Sequence, residues 1–305
     1  TEAVGGRPAE TIDSIKFNAP RNYQTQNRAV IDNDYQRIIL AENSDLQSVI
    51  AFGGEQANPP VYGKVYIAVK PFAEKFSTVT RKQQIKEAIS DRVPLAIDPV
   101  IIDADYTYVV PSITTYYDLT STTSTTSAIE QNVRTAVATF STDNLERFGN
   151  RLRFSRFVRA LDNTSNGYIL NNDVSLKLEK RFVPDFGKLQ TISLNYNNAI
   201  RKSTLDSTQF TYKGFESYLD DDGLGNVNVY RFNDAKAKVN ITNNVGTINY
   251  ETGAVLITGI APTAVADLEL KVSVIPERLD VIPIREQILL MESGDAVISV
   301  VGENS

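Results

Sequence analysis

Residues 18–71 read NAPRNYQTQNRAVIDNDYQRIILAENSDLQSVIAFGGEQANPPVYGKVYIAVKP, and the rest of the chain is organised around this stretch. Pro20 disfavours a helical conformation for the residue before it, so the segment starts extended. Asp32 can then cap a short helix by accepting hydrogen bonds from its first backbone N–H groups. Tyr35, Ile38 and Ile39 follow at helical spacing. The pattern predicts a short helix that buries these three side chains.

Two strands follow this helix. Asp45–Phe52 is rich in apolar residues and stops at Gly53-Gly54, and Asn58-Pro59-Pro60 forces an irregular connection. Gly63–Val69 alternates apolar and polar residues, and Pro71 closes it. One helix and two strands within so short a stretch predict the start of a unit that mixes helices and strands.

The next segment adds a helix and a long strand. Thr80 and Gln83 have the spacing of a capping box, which predicts a helix that ends at Pro94. Val100–Leu119 is rich in tyrosine and β-branched residues and predicts a strand interrupted by Pro111. We therefore expect an α+β fold that begins with a small α+β sandwich, in which one helical layer packs on one sheet.

The run TSTTSTTS at 120–127 has two interpretations. Its composition is typical of a flexible linker. Ser127 and Glu130, however, form a capping box for a helix whose apolar residues recur at helical spacing, and we favour this interpretation. A second short helix is expected over Ser155–Leu161, and Asn163–Gly167 is expected to form the turn that ends the domain.

From Tyr168 onward the sequence predicts strand after strand. Gly246–Gly253 predicts a hairpin into Ala254–Ile257. The terminal apolar run Val297–Val301 must pair with something, either within the chain or with the sheet of a neighbouring chain. The predicted order is a connecting segment with short helices over 1–43, an α+β domain over 44–167, a mostly β domain over 168–275, and a C-terminal tail with a terminal strand over 276–305.

The composition is that of an ordinary globular protein. Of the 305 residues, 42% are apolar and 22% are charged, which allows a sizeable core. No run approaches the roughly 20 apolar residues that span a bilayer, so no membrane partner is expected. The net charge of −6 disfavours nonspecific binding of nucleic acid by the whole surface. Met291 is the sole methionine, so we expect either a lost initiator or a piece of a longer protein.

The chain contains no Cys and no His. These absences exclude disulfides, thiolate metal sites, imidazole bases and Ser-His-Asp arrangements. Few side chains should change charge between about pH 5.5 and 8, so we expect no sharp change of assembly state in that range. The sequence thus predicts a protein that is not an enzyme, with no cofactor, no metal and no small-molecule substrate.

Two acidic stretches resemble chemical sites. Asp220–Asn226 places Gly225 where a calcium-binding EF-hand loop needs glycine, but Arg231 stands where that loop needs glutamate. We expect a hairpin turn, with a weak cation site as the alternative. Asp103 and Asp105 have the spacing of paired carboxylates on one strand face. The residues around them carry no substrate-pocket pattern, so we expect solvated side chains.

The strongest unusual feature is a run of arginines without an acidic residue between them, interleaved with aromatic residues. It comprises Arg147, Arg151, Arg153, Phe154, Arg156, Phe157 and Arg159. Three interpretations compete: a solvated helical face with internal ion pairs, a protein interface of arginine and aromatic residues, and a nucleic-acid surface with stacking aromatics. The acidic remainder of the chain disfavours nucleic acid.

Several short runs carry a resemblance to a known family through their order and spacing. They are Gln26–Val30, Asp34-Tyr35, Gly53–Glu55, Pro59-Pro60, Tyr62–Val65 and Gly246–Gly253. Together they resemble the gene-six baseplate wedge subunits of T-even-like contractile-tailed phages, which are related to the baseplate J proteins. One departure is Ile31, which stands where such sequences often carry threonine, and this moves the predicted cap to Asp32.

The resemblance implies a structural virion protein of the tail baseplate, assembled in the host cytoplasm and matching the C-terminal part of a larger subunit. It implies two copies per wedge that join neighbouring wedges into a ring around the hub and contact other wedge proteins. The arginine run lies in a region that resembles the family, which favours the interface interpretation. The alternative is a carbohydrate- or receptor-binding tail module. The β domain and the fourteen tyrosines favour this alternative, and the absence of tryptophan counts against it.

Overall fold

The computed structural model describes residues 28–57, 59–164 and 167–304, together with Ile12. The predicted connecting segment 1–43 therefore lies largely outside the described residues, as does part of the turn predicted at 163–167. The backbone divides into two compact units. The first comprises the residues up to Asp105 with Arg147–Gly149 and Ile284–Ile288, and the second comprises the remainder.

The first unit contains two helices and a three-stranded sheet among its described residues. The elements are α1 (Asp32–Glu42), β1 (Leu46–Gly53), a 3-10 turn (Gly54–Gln56), β2 (Lys64–Pro71), α2 (Val79–Ser90) and β3 (Asp98–Asp103). β1 pairs antiparallel with β2, and β2 pairs parallel with β3. The predicted α+β unit, with helices layered on one sheet, is confirmed.

Burial explains why these helices form. Tyr35, Ile38 and Ile39 of α1 are buried, as the spacing predicts, and they share a core with Ile85 and Ile89 of α2. This core also includes apolar residues of the sheet. The helices therefore gain stability from packing one apolar face rather than from propensity alone.

The start of α1 differs from the prediction. The helix follows Ile31, and the Asp34 carboxylate accepts hydrogen bonds from the backbone N–H groups of Val30 and Ile31 at 3.2 and 3.1 Å. The predicted cap at Asp32 is wrong, because Asp32 is already the first helical residue. Ile31 has no side-chain oxygen, so a carboxylate three residues later satisfies the free N–H groups instead.

The predicted caps of the next two helices are also displaced. The hydroxyl of Thr78 accepts from the N–H of Arg81 at 3.2 Å at the start of α2, so Thr80 is not the cap. At the start of α3 (Thr126–Asn144) the hydroxyl of Thr125 accepts from Ala128 at 3.2 Å, so Ser127 is not the cap. Both stretches contain several hydroxyl residues able to cap, and each helix begins two residues earlier than predicted.

The second unit is dominated by strands. Its helices are α3 and α4 (Phe154–Asp162). The strands are β4 (Asp105–Asp118), β5 (Ile169–Phe182), β6 (Gln190–Asn195), β7 (Asp206–Ser207), β8 (Phe210–Tyr212), β9 (Phe215–Asp221), β10 (Asn226–Phe232), β11 (Lys238–Asn249), β12 (Ala254–Ile260), β13 (Ala264–Val265), β14 (Leu270–Val274), β15 (Gln287–Leu290) and β16 (Val297–Glu303). The first residue of β4 and the first two residues of β15 are assigned to the first unit.

One large sheet connects most of these strands, and the predicted mostly β region is confirmed. Its order is β15-β4-β5-β14-β7-β9-β10-β11-β12-β6, and β16 also pairs with β4. β4 runs unbroken through Pro111, which pairs with Leu176 of β5. The predicted ranges 44–167 and 168–275 therefore meet inside one sheet.

The core of the second unit contains apolar residues of this sheet together with apolar residues of the two helices. Ile129, Val133, Val137 and Phe140 of α3 are buried, as their spacing predicts. The predicted hairpin forms between β11 and β12, which pair from Gly246 to Asn249.

Candidate protein interface

Helix α4 positions the arginine run. Phe157 and Leu161 of this helix are fully buried, and the rings of Phe140 and Phe157 have centroids 5.1 Å apart. These contacts fix the inner face of α4 against α3. Arg156 and Arg159, which are three residues apart and therefore share one helix face, remain exposed.

The structure separates the predicted site residues into groups. Arg151, Arg153, Arg156 and Arg159 are exposed on the second unit, and we call these four residues the arginine surface. Arg147 is exposed on the first unit, where the N–H of its neighbour Phe148 donates to Ser48 Oγ at 3.3 Å.

The aromatic members of the run face inward. Phe157 belongs to the core, and Phe154 is half-buried against it. Neither ring is therefore an exposed platform for bases or sugars, and any contact at this surface is made mainly by the arginines.

The arginine surface contains no ion pair with any described residue. Among the described residues, its one guanidinium hydrogen bond joins Arg156 Nη1 to Asn144 Oδ1, at a long 3.4 Å. Other arginines of the same unit are paired: Arg134 contacts Glu130 at 2.8 Å, and Arg181 contacts three carboxylates. The interpretation that required internal ion pairs therefore lacks the contacts on which it depends.

Two of these charges lie where a helix disfavours them. Arg153 is the N-cap residue of α4 and Arg156 lies in its first turn, close to the positive end of the helix dipole. The N–H of Phe154 donates to Asp280 Oδ1 at 2.8 Å, so a distant carboxylate supplies the cap. Cations at this end destabilise the helix by about 0.3–1 kcal/mol each. The fold of the monomer does not require these two charges.

A groove between α3 and α4 adjoins the arginine surface. Its volume is about 430 Å³, and Thr135, Thr139 and Asn144 of α3 face Ala160 of α4 across it. Asn144 also accepts the hydrogen bond of Arg156, so this arginine stands at the groove. The hydroxyl and amide groups can bond to a partner's backbone. Sequence patterns do not signal this groove, because it depends on how two separate helices pack against each other.

The acidic stretches form structural contacts. Asp103 accepts from the N–H of Ser77 at 3.1 Å and pairs with Lys82 at 2.5 Å. Asp105 begins the next strand, so the two carboxylates do not share one strand.

The stretch 220–226 forms the turn between β9 and β10, as predicted. The buried carboxylate of Asp221 accepts from the N–H groups of Ser203 and Leu205 at 2.7 and 2.8 Å and from the hydroxyl of Tyr250 at 2.7 Å. Hydrogen bonds from Asn226, together with the N–H of Leu224, lower the pKa of Asp222. These hydrogen bonds give Asp221 and Asp222 a structural role in the turn.

Residues 31–102 match the profile of the baseplate structural protein gp6, C-terminal domain I, and residues 105–181 match that of C-terminal domain III. The baseplate wedge protein gp6 of Enterobacteria phage T4 is 20% identical over 220 residues, or 72% of this chain. By these matches the chain is similar to the baseplate wedge protein gp6, and we call it gp6-like.

The gp6-like chain spans 33% of the length of the T4 protein. A chain in the cryo-EM structure of the anti-feeding prophage baseplate, six-fold symmetrised, is also similar, with 15% identity and a TM-score of 0.39. That likeness covers 57% of the gp6-like chain and 39% of the other. The described helices of the gp6-like protein include none that is long and apolar enough to cross a membrane.

The matched profiles describe structural proteins, so the gp6-like chain has a structural role in the tail baseplate of a phage virion. The second matched profile covers 105–181 and includes the whole arginine run. The candidate interface therefore lies in a part of the chain that the family shares.

Proposed function

We propose that this gp6-like protein acts by docking, not by catalysis. In this proposal, copies of the chain associate with one another and with other wedge proteins, and so join neighbouring wedges into a ring around the hub. The arginine surface provides one of the contacts. A closed ring needs the same contacts repeated with closed symmetry, which a rigid body with fixed docking surfaces can supply.

One observation carries the proposal. The four arginines are exposed, form no ion pair among the described residues and stand beside a groove with polar walls. Arginine is enriched in the centres of protein interfaces, because its planar guanidinium donates several hydrogen bonds and stacks on apolar groups. Two of the four also oppose the helix dipole. A binding role explains why such charges are present.

The proposal includes one contact that tolerates reorientation, since the ring has to widen during tail contraction and stay connected. We expect this contact near a domain junction. Cross-links that lock the contacts and still permit contraction would contradict this part of the proposal.

The double substitution Arg153→Glu with Arg156→Glu tests the arginine surface. We expect self-association, or incorporation into wedges reconstituted from the purified wedge proteins, to weaken at least tenfold, since interface arginines that act as hot spots are worth about 2 kcal/mol or more. The monomer should melt at an equal or higher temperature, because both replacements place acids where the helix dipole favours them. Sedimentation velocity and thermal unfolding measure the two effects.

A matched control is Lys188→Glu with Arg201→Glu. Both of its residues are exposed on the second unit, and the pair changes the net charge by the same amount. The control should associate like the unmodified chain. If the arginine variant keeps its full self-association and its full incorporation, the arginine surface is a solvated face and this part of the proposal fails.

A further inference from the structure

The terminal strand β16 has one paired edge. It pairs in parallel with β4 from Val297 opposite Ser112 to Glu303 opposite Asp118, without a shift of register. No described strand pairs with its other edge. Along one edge, therefore, β16 pairs within its own chain. The sequence left open whether this strand pairs within the chain or with a neighbouring chain, and for the other edge that question remains.

The direction of the backbone groups follows from one hydrogen bond. The N–H of Leu119 donates to the carbonyl oxygen of Glu303 at 3.0 Å, so Glu303 faces β4. The N–H and C=O of one strand residue point to the same side, and this side alternates along the strand. Val297, Ser299 and Val301 therefore also face β4. The backbone groups of Ile298, Val300 and Gly302 point outward.

This free edge lacks the features by which proteins usually prevent strand addition. Natural edge strands carry lysine or proline, contain a bulge, or are very short. β16 has seven residues, no register shift and a single charged residue, Glu303. Val297 and Val301 are 62% and 38% exposed. A flat apolar edge of this length is a template for another strand.

We propose that β16 pairs with β16 of a second copy, antiparallel, across a two-fold axis at Val300. In this register Val300 lies opposite itself, and Ile298 lies opposite Gly302 of the other copy. All three outward-facing residues then form hydrogen-bonded pairs, each of which exchanges two bonds. If the register shifts by two residues in either direction, one of these three outward-facing residues no longer has a β16 residue of the other copy opposite it.

Charge supports the same arrangement. In this register Glu303 lies opposite Val297, so the two Glu303 carboxylates stand at opposite ends of the paired strands and do not repel each other directly. The strand is thus complementary to itself, as a two-fold contact requires. The edge is a different surface from the arginine surface, and its pairing does not depend on the arginines.

Disulfide trapping tests this register without interference, since the chain has no cysteine. In the proposed pair Ser299 lies opposite Val301 of the other copy, in a pair without hydrogen bonds, where Cβ atoms are about 4.5–5.5 Å apart and, at the near end of that range, within reach of a disulfide. Both side chains are exposed, so the variant Ser299→Cys with Val301→Cys should fold. Mild oxidation should convert it to a covalent dimer on a non-reducing gel.

The control is Val297→Cys with Ser299→Cys. It exposes the same number of cysteines on the same face, but no two of them lie directly opposite each other. The cysteine at position 299 is displaced along the strand by two residues, which puts it about 7–8 Å from the nearest cysteine of the other copy, and the cysteine at position 297 is displaced by four. We expect dimer formation at least tenfold slower than in the first variant. Equal rates, or no dimer from either variant, would overturn the proposal. If the first variant misfolds, Val297→Cys with Glu303→Cys tests the same register, since those residues also lie opposite each other.

The two proposals fail in different ways. With Arg153→Glu and Arg156→Glu added, the Ser299→Cys, Val301→Cys chain should still form the covalent dimer, because the strand contact does not use the arginines. Loss of the dimer in that background would overturn the strand pairing as an independent contact. A dimer that forms while the arginine variant assembles normally leaves the strand pairing intact and removes only the arginine surface.

Discussion

At the scale of single residues, Arg181 shows how the chain treats a buried charge. Its side chain is only 7% exposed and contacts Glu179 and Asp295 at 2.6 Å and Glu292 at 2.8 Å. The guanidinium lies 3.7 Å from the centroid of the Tyr108 ring. A buried cation stabilises a fold only if its donors are satisfied. Here the contacts tie residues 292–295, just before β16, to β5.

The pKa values of two carboxylates around Arg181 are shifted in opposite directions. Burial raises the pKa of Asp295, but the hydrogen bond and charge of Arg181 outweigh it, so the pKa lies below its ordinary value. For Glu179 burial dominates and the pKa is raised. A lowered pKa makes Asp295 contribute stability above its unfolded pKa, and this contribution disappears as the pH falls through its folded pKa.

Replacement of Asp295 by asparagine tests this sign. We expect the unmodified chain to have the larger free energy of unfolding at about pH 7 and the difference between the two proteins to shrink as the pH falls below about 3.9, the ordinary pKa of aspartate. Glu179 is present in both proteins and its raised pKa acts in the opposite direction. The charge of Asp295 contributes to that raised pKa, so the replacement also reduces the opposing effect of Glu179. Urea unfolding at several pH values measures the difference. A constant difference at every pH would show that charge is not its cause.

At the scale of elements, the start of α2 shows what local sequence leaves undecided. Thr78 and Thr80 are both able to cap a helix, and a glutamine three residues after Thr80 gives the stronger local pattern. The helix nevertheless starts after Thr78.

The alanine variants of these two threonines should differ. Thr78→Ala removes the hydrogen bond to the N–H of Arg81 and should cost about 1 kcal/mol of local helix stability, whereas Thr80→Ala should stay within about 0.5 kcal/mol. Hydrogen exchange of the first-turn amides of α2 should therefore speed up about fivefold for Thr78→Ala. Similar exchange in both variants would show that the cap contributes little.

Much of the fold was predictable element by element. The periodicity of Tyr35, Ile38 and Ile39 predicts the buried face of α1 without knowledge of what it packs against, and the turn residues around Gly253 predict the β11–β12 hairpin. Long-range pairing was not predictable. The parallel contact of β16 with β4 joins strands about 180 residues apart. Strand pattern alone specifies neither the partner nor which edge remains open.

The candidate interface was predictable in part from the sequence. A list of arginines without acidic neighbours can be taken from the sequence, and all five are exposed in the structure. The sequence could not show that Phe157 points into the core, that Asp280 caps α4 from a distant segment, or that α3 and α4 enclose a groove. Each of these depends on which residues meet in space.

At the scale of the whole molecule, the charge distribution is uneven. The chain carries a net charge of −6, yet the arginine surface concentrates four cations that form no ion pair with any residue that the structure describes. Such a surface attracts an acidic surface on another copy or on a wedge protein, and the attraction weakens with salt because exposed charges are screened over about 8–10 Å. The proposed docking at the arginine surface and the proposed pairing at the open edge of β16 both fit a structural role in a repeated assembly.

Chemical footprinting of arginine in the assembled baseplate tests the central claim most directly. Phenylglyoxal would be applied to the free chain and to intact baseplates, and the modification of Arg151, Arg153, Arg156 and Arg159 compared with that of Arg201, an exposed control on the same unit. The account predicts that the four arginines become at least tenfold less reactive on assembly relative to Arg201. Equal reactivity of the four in the free chain and in the baseplate would contradict it.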